Sequence, residues 1–137
     1  IYFSLKGSWC SGITSALHAE DPGLSVACKV VAARQSDSHE LCSCSAERLR
    51  LPGASGSWEP LPPMRHGRLG ATAGAVCGAI YVCGGLPSED EAPLASVEKF
   101  CALTGSWEPG PPMTIAKFGA TSGILGDKIY VCGGFDG

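Results

Sequence analysis

The chain has 137 residues, 17% charged and 45% hydrophobic, with 19 glycines, 10 prolines, 8 cysteines and a formal net charge of −3. That size suits one modest domain, and the hydrophobic fraction excludes a disordered composition. The weak negative charge gives no electrostatic reason to expect nucleic acid or an anionic membrane as partner, and the many glycines and prolines call for tight turns between short strands.

Residues 1–44 contain Gly7-Ser8-Trp9, and Val26 to Ala33 has the composition of an inner strand, but Ala33-Arg34 closes it without a glycine pair. The segment reads either as a decayed repeat or as an unrelated extension. The chain begins at Ile1 with no charged-then-apolar leader and stops at Gly137 just after a glycine pair, so both ends look cut. From residue 45 the pattern is clearer. Ser45-Ala46-Glu47-Arg48-Leu49 fits a strand, and Trp58 follows it after a turn. Gly70 to Val76 and Ala79 to Cys83 form a predicted hairpin around Cys77-Gly78, closed by Gly84-Gly85. The uncharged run from Leu69 to Ser88 holds five glycines and is better explained by this hairpin than by a membrane span. A polar loop, Leu86 to Leu94, carries Ser88-Glu89-Asp90-Glu91. Ser96 to Phe100 alternates with period two and predicts a third strand. A turn at Leu103-Thr104-Gly105 leads into a short fourth strand at Ser106-Trp107-Glu108, which Pro109, Pro111 and Pro112 are expected to end. A second hairpin follows at 119–132, turning at Gly126-Asp127 and closed by Gly133-Gly134.

The chain repeats itself. GSWEPLPPM at 56–64 returns as GSWEPGPPM at 105–113, and the same displacement of 49 carries Gly70-Ala71-Thr72 onto Gly119-Ala120-Thr121 and Ile80 to Gly85 onto Ile129 to Gly134 without a gap. A fixed period near 50 residues means one supersecondary unit used again, a unit that cannot bury its apolar face alone. Four antiparallel strands per period describe one propeller blade.

The glycine pairs at 84–85 and 133–134, the spacing from Phe100 to Trp107 and the Pro-Pro-Met runs ending at Met64 and Met113 make the chain resemble the kelch-repeat family over residues 45–137. The resemblance implies an all-β fold, a kelch-type β-propeller fragment of four-stranded antiparallel blades in an incomplete ring. It divides the chain into a poorly matching segment 1–44, a half blade at 45–60, a full blade at 70–109 and a half blade at 119–137. Trp58 and Trp107, with Tyr81 and Tyr130, are expected to pack between blades. Cys83 and Cys132 are expected as small core residues, and the eight cysteines as reduced thiols without a disulfide framework.

Arg68 and Lys117 share a repeat position two residues before the glycine that opens the first strand. In kelch propellers this position is often basic and lines the channel mouth, so the resemblance implies a grip on acidic peptide ligands, with His66 as an added donor. The alternative is a solvated rim charge. The loop Ser88, Glu89, Asp90, Glu91 is the second candidate, either selecting a basic ligand or standing as a solvated loop tip.

No catalytic constellation is found. The three histidines, His18, His39 and His66, lie in dissimilar contexts, and no nucleophile elbow or phosphate-cradling loop occurs. Neither a metal nor a cofactor is expected, and Cys42-x-Cys44 has poor spacing for zinc. The function expected is protein binding by a cytoplasmic, non-enzymatic module. The resemblance extends this to the substrate-recognition part of a BTB-kelch adaptor of a cullin ubiquitin ligase, or to an actin-binding protein. Two other readings are a propeller enzyme, such as a copper oxidase or sugar isomerase, and a truncated gene product without function.

Overall fold

In the computed structural model the described residues are 4–5, 8–9, 13–18, 25–30, 44–50, 57–88 and 90–137, with side chains described at 44–48 and from 57 onward. They form strands joined by turns and loops, with no helix among them. A short pair, β1 (Ser4–Leu5) and β2 (Ser8–Trp9), comes first. A four-stranded sheet follows in the order β3 (Ile13–His18), β4 (Ser25–Val30), β5 (Ala46–Arg50), β6 (Ser57–Pro60). The second sheet contains β7 (Thr72–Val76), β8 (Ala79–Cys83), β9 (Val97–Cys101) and β10 (Ser106–Gly110), again in chain order and antiparallel. A hairpin of β11 (Thr121–Leu125) and β12 (Lys128–Cys132) ends the chain. Two strands of the first sheet thus come from within residues 1–44, where β4 pairs with β5 through Val30 opposite Ala46.

Local chemistry explains the connections. Cys77 and Gly78 both take positive φ, 50° and 72°, in the two-residue turn joining Val76 to Ala79. This is the sign pattern of a type I′ turn, whose twist suits a hairpin. Gly126, with φ 59°, does the corresponding work between Leu125 and Lys128. The expected end of the fourth strand at Pro109 is corrected: β10 continues to Gly110, with Pro109 opposite Glu98. An outer strand tolerates proline because its missing N–H can face away from the ladder.

The sheets stand side by side on their first strands, with β7 next to β3 on one flank and to β11 and β12 on the other. Thr72 Oγ1 donates to Ser122 Oγ at 2.9 Å, which donates on to the Ala73 carbonyl at 2.7 Å, and Gly119 N donates to Gly70 O at 2.8 Å. The core lies between the first two sheets. Ala46, Leu61 and Met64 meet Ala71, Ala73, Ile80, Val82, Phe100 and Trp107 there. Phe100 and Trp107 tilt against each other at 5.2 Å, and the Trp107 indole N–H donates to the Pro62 carbonyl at 2.7 Å. Blade-like sheets set side by side in this way, without closing a ring among the described residues, make the fold a β-propeller fragment.

Several residues expected in the core lie elsewhere. Trp58 is 45% exposed and Tyr130 47%, whereas Trp107 and Cys83 are buried and Tyr81 is half-buried. Cys132 is exposed too. The physical reason is packing between neighbours: Trp107 has the preceding connection at Pro62 to lean on, and β8 is covered by β9. Among the described residues β12 pairs within its sheet only with β11.

Candidate functional site

The register aligns Thr72, Cys83 and Val97 across β7, β8 and β9. The connection 61–71 therefore enters the sheet at the same end from which the β8–β9 loop leaves. The turns at 77–78 and 102–105 lie at the opposite end. The connection 111–119 is laced to the same β8–β9 loop, since Gly85 N donates to Lys117 O at 2.8 Å and Lys117 N to Leu94 O at 3.2 Å. Topology thus gathers His66, Arg68, Ser88, Asp90, Glu91 and Lys117 at one end of the sheets. Glu89 lies outside the described residues.

Arg68 does not stand on the rim as expected. It is 2% exposed, and its guanidinium is used up inside the protein. Nε donates to Glu98 Oε1 at 3.1 Å, one terminal nitrogen donates to the carbonyls of Gly84 at 2.8 Å and Ser96 at 2.9 Å, and the other donates to Ser96 Oγ at 2.8 Å. Glu98 is 3% exposed and accepts the backbone N–H of Arg65 at 2.8 Å and of His66 at 3.3 Å. A buried guanidinium must find partners for its donors, and here the connection, the glycine pair and β9 supply them. The sequence reasoning passed over Glu98, whose place on the same face of the period-two strand as Phe100 would have flagged it. Arg68 is therefore a brace between three segments.

His66 is exposed, with Nδ1 3.6 Å from Glu98 Oε1. Arg65, which sequence reasoning also passed over, is exposed beside it. Lys117 is half-buried and has no ion pair among the described residues. In the loop, Asp90 and Glu91 are exposed, and Ser88 Oγ donates to Glu91 Oε1 at 2.9 Å, which tightens the loop tip. The end of the sheets thus carries a basic cluster, Arg65 and His66, and an acidic one, Asp90 and Glu91.

The five described cysteines are free. Burial pushes the Cys83 thiol up to about 11, against a smaller opposing pull from the Arg68 charge. The Cys101 thiol is held below its ordinary range by the Thr104 backbone N–H first, then by the Thr104 side chain and the Leu103 backbone. Among the described residues no three histidine, cysteine, aspartate or glutamate side chains come together as a metal site. The described residues hold no helix long and apolar enough to cross a membrane.

A family model of the kelch motif matches residues 67–114, which run from the connection before β7 to just beyond β10. The solved structure of YjhT superposes with a TM-score of 0.65 at 21% sequence identity, over 90% of this chain and 34% of that one. A fungal alcohol oxidase of the AA5 family, in complex with copper, gives a TM-score of 0.50 at 28% identity, over 58% of this chain and 18% of that one. The chain thus spans about a third of the first structure and under a fifth of the second. No curated protein matches it.

Proposed function

With a kelch motif at residues 67–114 the chain belongs to the kelch-repeat family, and we propose that it is a protein-interaction module that meets its partner at the end of the sheets where the connections and the β8–β9 loop gather. The observation that carries this reading is the placement of two exposed groups, the cation Arg65 beside the imidazole of His66 and the acidic pair Asp90 and Glu91, on polypeptide fixed by backbone hydrogen bonds to the strands. Such a surface selects partners by charge pattern without having to order itself on binding. Ser88 supports the loop tip, and Glu89 belongs to the same loop. Lys117 adds a cation near the edge, while Arg68 acts from beneath by holding the connection in place.

In this reading residues 13–60 and 72–110 are whole blades and 121–132 the start of a third. The proposed setting is cytoplasmic, with a role as the substrate-recognition part of a larger adaptor of a cullin ubiquitin ligase; actin binding is the second role of the same class. Among the described residues, His66, the one histidine with a described side chain, lies near Glu98 and belongs to no group of three metal-ligating side chains.

The test is affinity capture with the native chain, with Asp90→Lys/Glu91→Lys and with Arg65→Glu/His66→Glu, after equal thermal unfolding has been verified. Proteins captured by the native chain and lost with either pair support the reading. Cullin-ligase subunits or actin among them would assign the finer role. An identical captured set for all three chains would refute this face as the interface.

A further inference from the structure

The chain that leaves β6 carries a proline-rich run, Pro60-Leu61-Pro62-Pro63-Met64-Arg65. Proline fixes φ at about −65° and biases the residue before it towards extended backbone. Prolines at 60, 62 and 63 therefore favour a polyproline II helix, which has about three residues per turn. The side chains follow that period. Leu61 and Met64 are buried, at 9% and 3% exposure, whereas Pro60, Pro62, Pro63 and Arg65 are exposed. The backbone follows it too, with Leu61 N donating to Ala46 O at 2.8 Å and Met64 N to Cys44 O at 2.9 Å. One edge of the run, Leu61 with Met64, thus seats on the core. The other two, Pro60 with Pro63 and Pro62 with Arg65, face outward. The Pro62 carbonyl is held by the Trp107 indole N–H at 2.7 Å, and at the bend that follows Arg65 N donates to Glu98 Oε2 at 2.8 Å. The run is extended before any partner arrives, which lowers the ordering cost of binding.

We infer that these two outward edges are a docking site for a domain of the SH3 type, whose binding face carries aromatic-lined grooves beside an acidic pocket. Such a face takes a polyproline ridge along two of its three edges, with prolines three apart in the grooves. The third edge turns away from the partner, and here it is the edge that the core already covers. Arg65, at the C-terminal end of the run, supplies the cation for the acidic pocket and fixes the direction in which the ridge docks. The repeat contains an internal contrast, Pro109-Gly110-Pro111-Pro112-Met113-Thr114. There Pro109, Pro111 and Pro112 are exposed, Gly110 and Met113 are half-buried, and Met113 N donates to Ala95 O at 2.8 Å. Neutral Thr114 stands in the place of Arg65, so the charge selects the first run over the second. The inference rests on the reading of this end of the sheets as an interaction face, and of its charged groups it uses Arg65 alone.

An array of purified SH3 domains probed with the whole chain tests the inference, with affinities measured by titration calorimetry. The expected result is saturable binding by domains that select a cation after their prolines, competed by a short proline-rich peptide carrying that cation. Arg65→Glu and Pro63→Ala each weaken it by roughly tenfold or more, while Pro112→Ala in the second run leaves it unchanged. Thermal melts verify that each variant is folded. If Pro63→Ala lowers the melting temperature, Arg65→Ala decides, because it keeps the backbone bond to Glu98. Four results would overturn the site: no binding across the array, binding that survives Arg65→Glu, capture by WW domains without need of the cation, or binding of an excised peptide of residues 58–66 but not of the folded chain. The array reads this run, whereas the capture with Asp90→Lys/Glu91→Lys reads the acidic pair, so the two proposals fail separately.

Discussion

Arg68→Met removes the guanidinium that braces the connection, the glycine pair and β9 while keeping a side chain of similar length. In the native chain that group forms four side-chain hydrogen bonds, one of them to a carboxylate that is itself buried. Removing one member of a buried ion pair costs about 3–5 kcal/mol, because the remaining charge stays desolvated. The carbonyls of Gly84 and Ser96 also lose donors, at about 1 kcal/mol each if water does not replace them. These contributions overlap, and the expected loss is about 4 kcal/mol, a large fraction of the roughly 5–15 kcal/mol that holds a domain together. Glu98 retains its bonds from Arg65 N and His66 N, so Glu98→Gln, which keeps an acceptor, is expected to cost less. Denaturation followed by the fluorescence of Trp107, which is buried against Phe100, measures both variants and their double mutant. A loss below about 1 kcal/mol for Arg68→Met, the range of an exposed charge, would refute the brace and return Arg68 to the rim, where the sequence placed it.

Gly84→Ala should destabilise far more than Gly133→Ala in a urea melt. Both share a positive φ, near 70°, but only Gly84 faces the Lys117 carbonyl, so equal losses would mean that the connection yields. Cys77→Asn should stabilise by roughly 0.5–1 kcal/mol, because asparagine tolerates the left-handed φ of 50° that this turn imposes; a lower melting temperature would contradict the turn assignment. Cys83 has its thiol raised in the folded chain, so the neutral form is favoured there. Its contribution is complete below the unfolded value near 9.0 and is lost as pH climbs towards about 11, by roughly 3 kcal/mol in all. Melts from pH 8 to 11 with Cys83→Ala as reference should show a slope that the variant lacks. Cys101, with its thiolate held by Thr104 N–H, should be alkylated at neutral pH faster than the exposed Cys77, as mass spectrometry of the labelled peptides would show.

The amino-acid order by itself determined the elements that depend on local chemistry. Alternating small and apolar residues in 70–76, a β-branched and aromatic run in 79–83 and a two-residue turn between them make a hairpin. The 49-residue displacement made the second hairpin follow from the first, and the kelch resemblance of residues 45–137 rested on the glycine pairs, the spacing from Phe100 to Trp107 and the Pro-Pro-Met runs, with the family model matching residues 67–114. Side-chain environment was decided elsewhere. Trp58 and Trp107 occupy one repeat position, as do Tyr81 and Tyr130 and as do Cys83 and Cys132, yet the members of each pair differ in exposure. A repeat position fixes which way a side chain leaves its strand, while burial depends on whether a neighbouring strand and connection lie against it. The same reason moved Arg68 from the rim to the interior. Arg65 and His66, just before it, are polar and exposed, and only the pairing of β8 with β9 brings Glu98, Ser96 and Gly84 within reach. A charge whose partners lie 16 to 30 residues away can be read as buried only once the strands that carry those partners are in place.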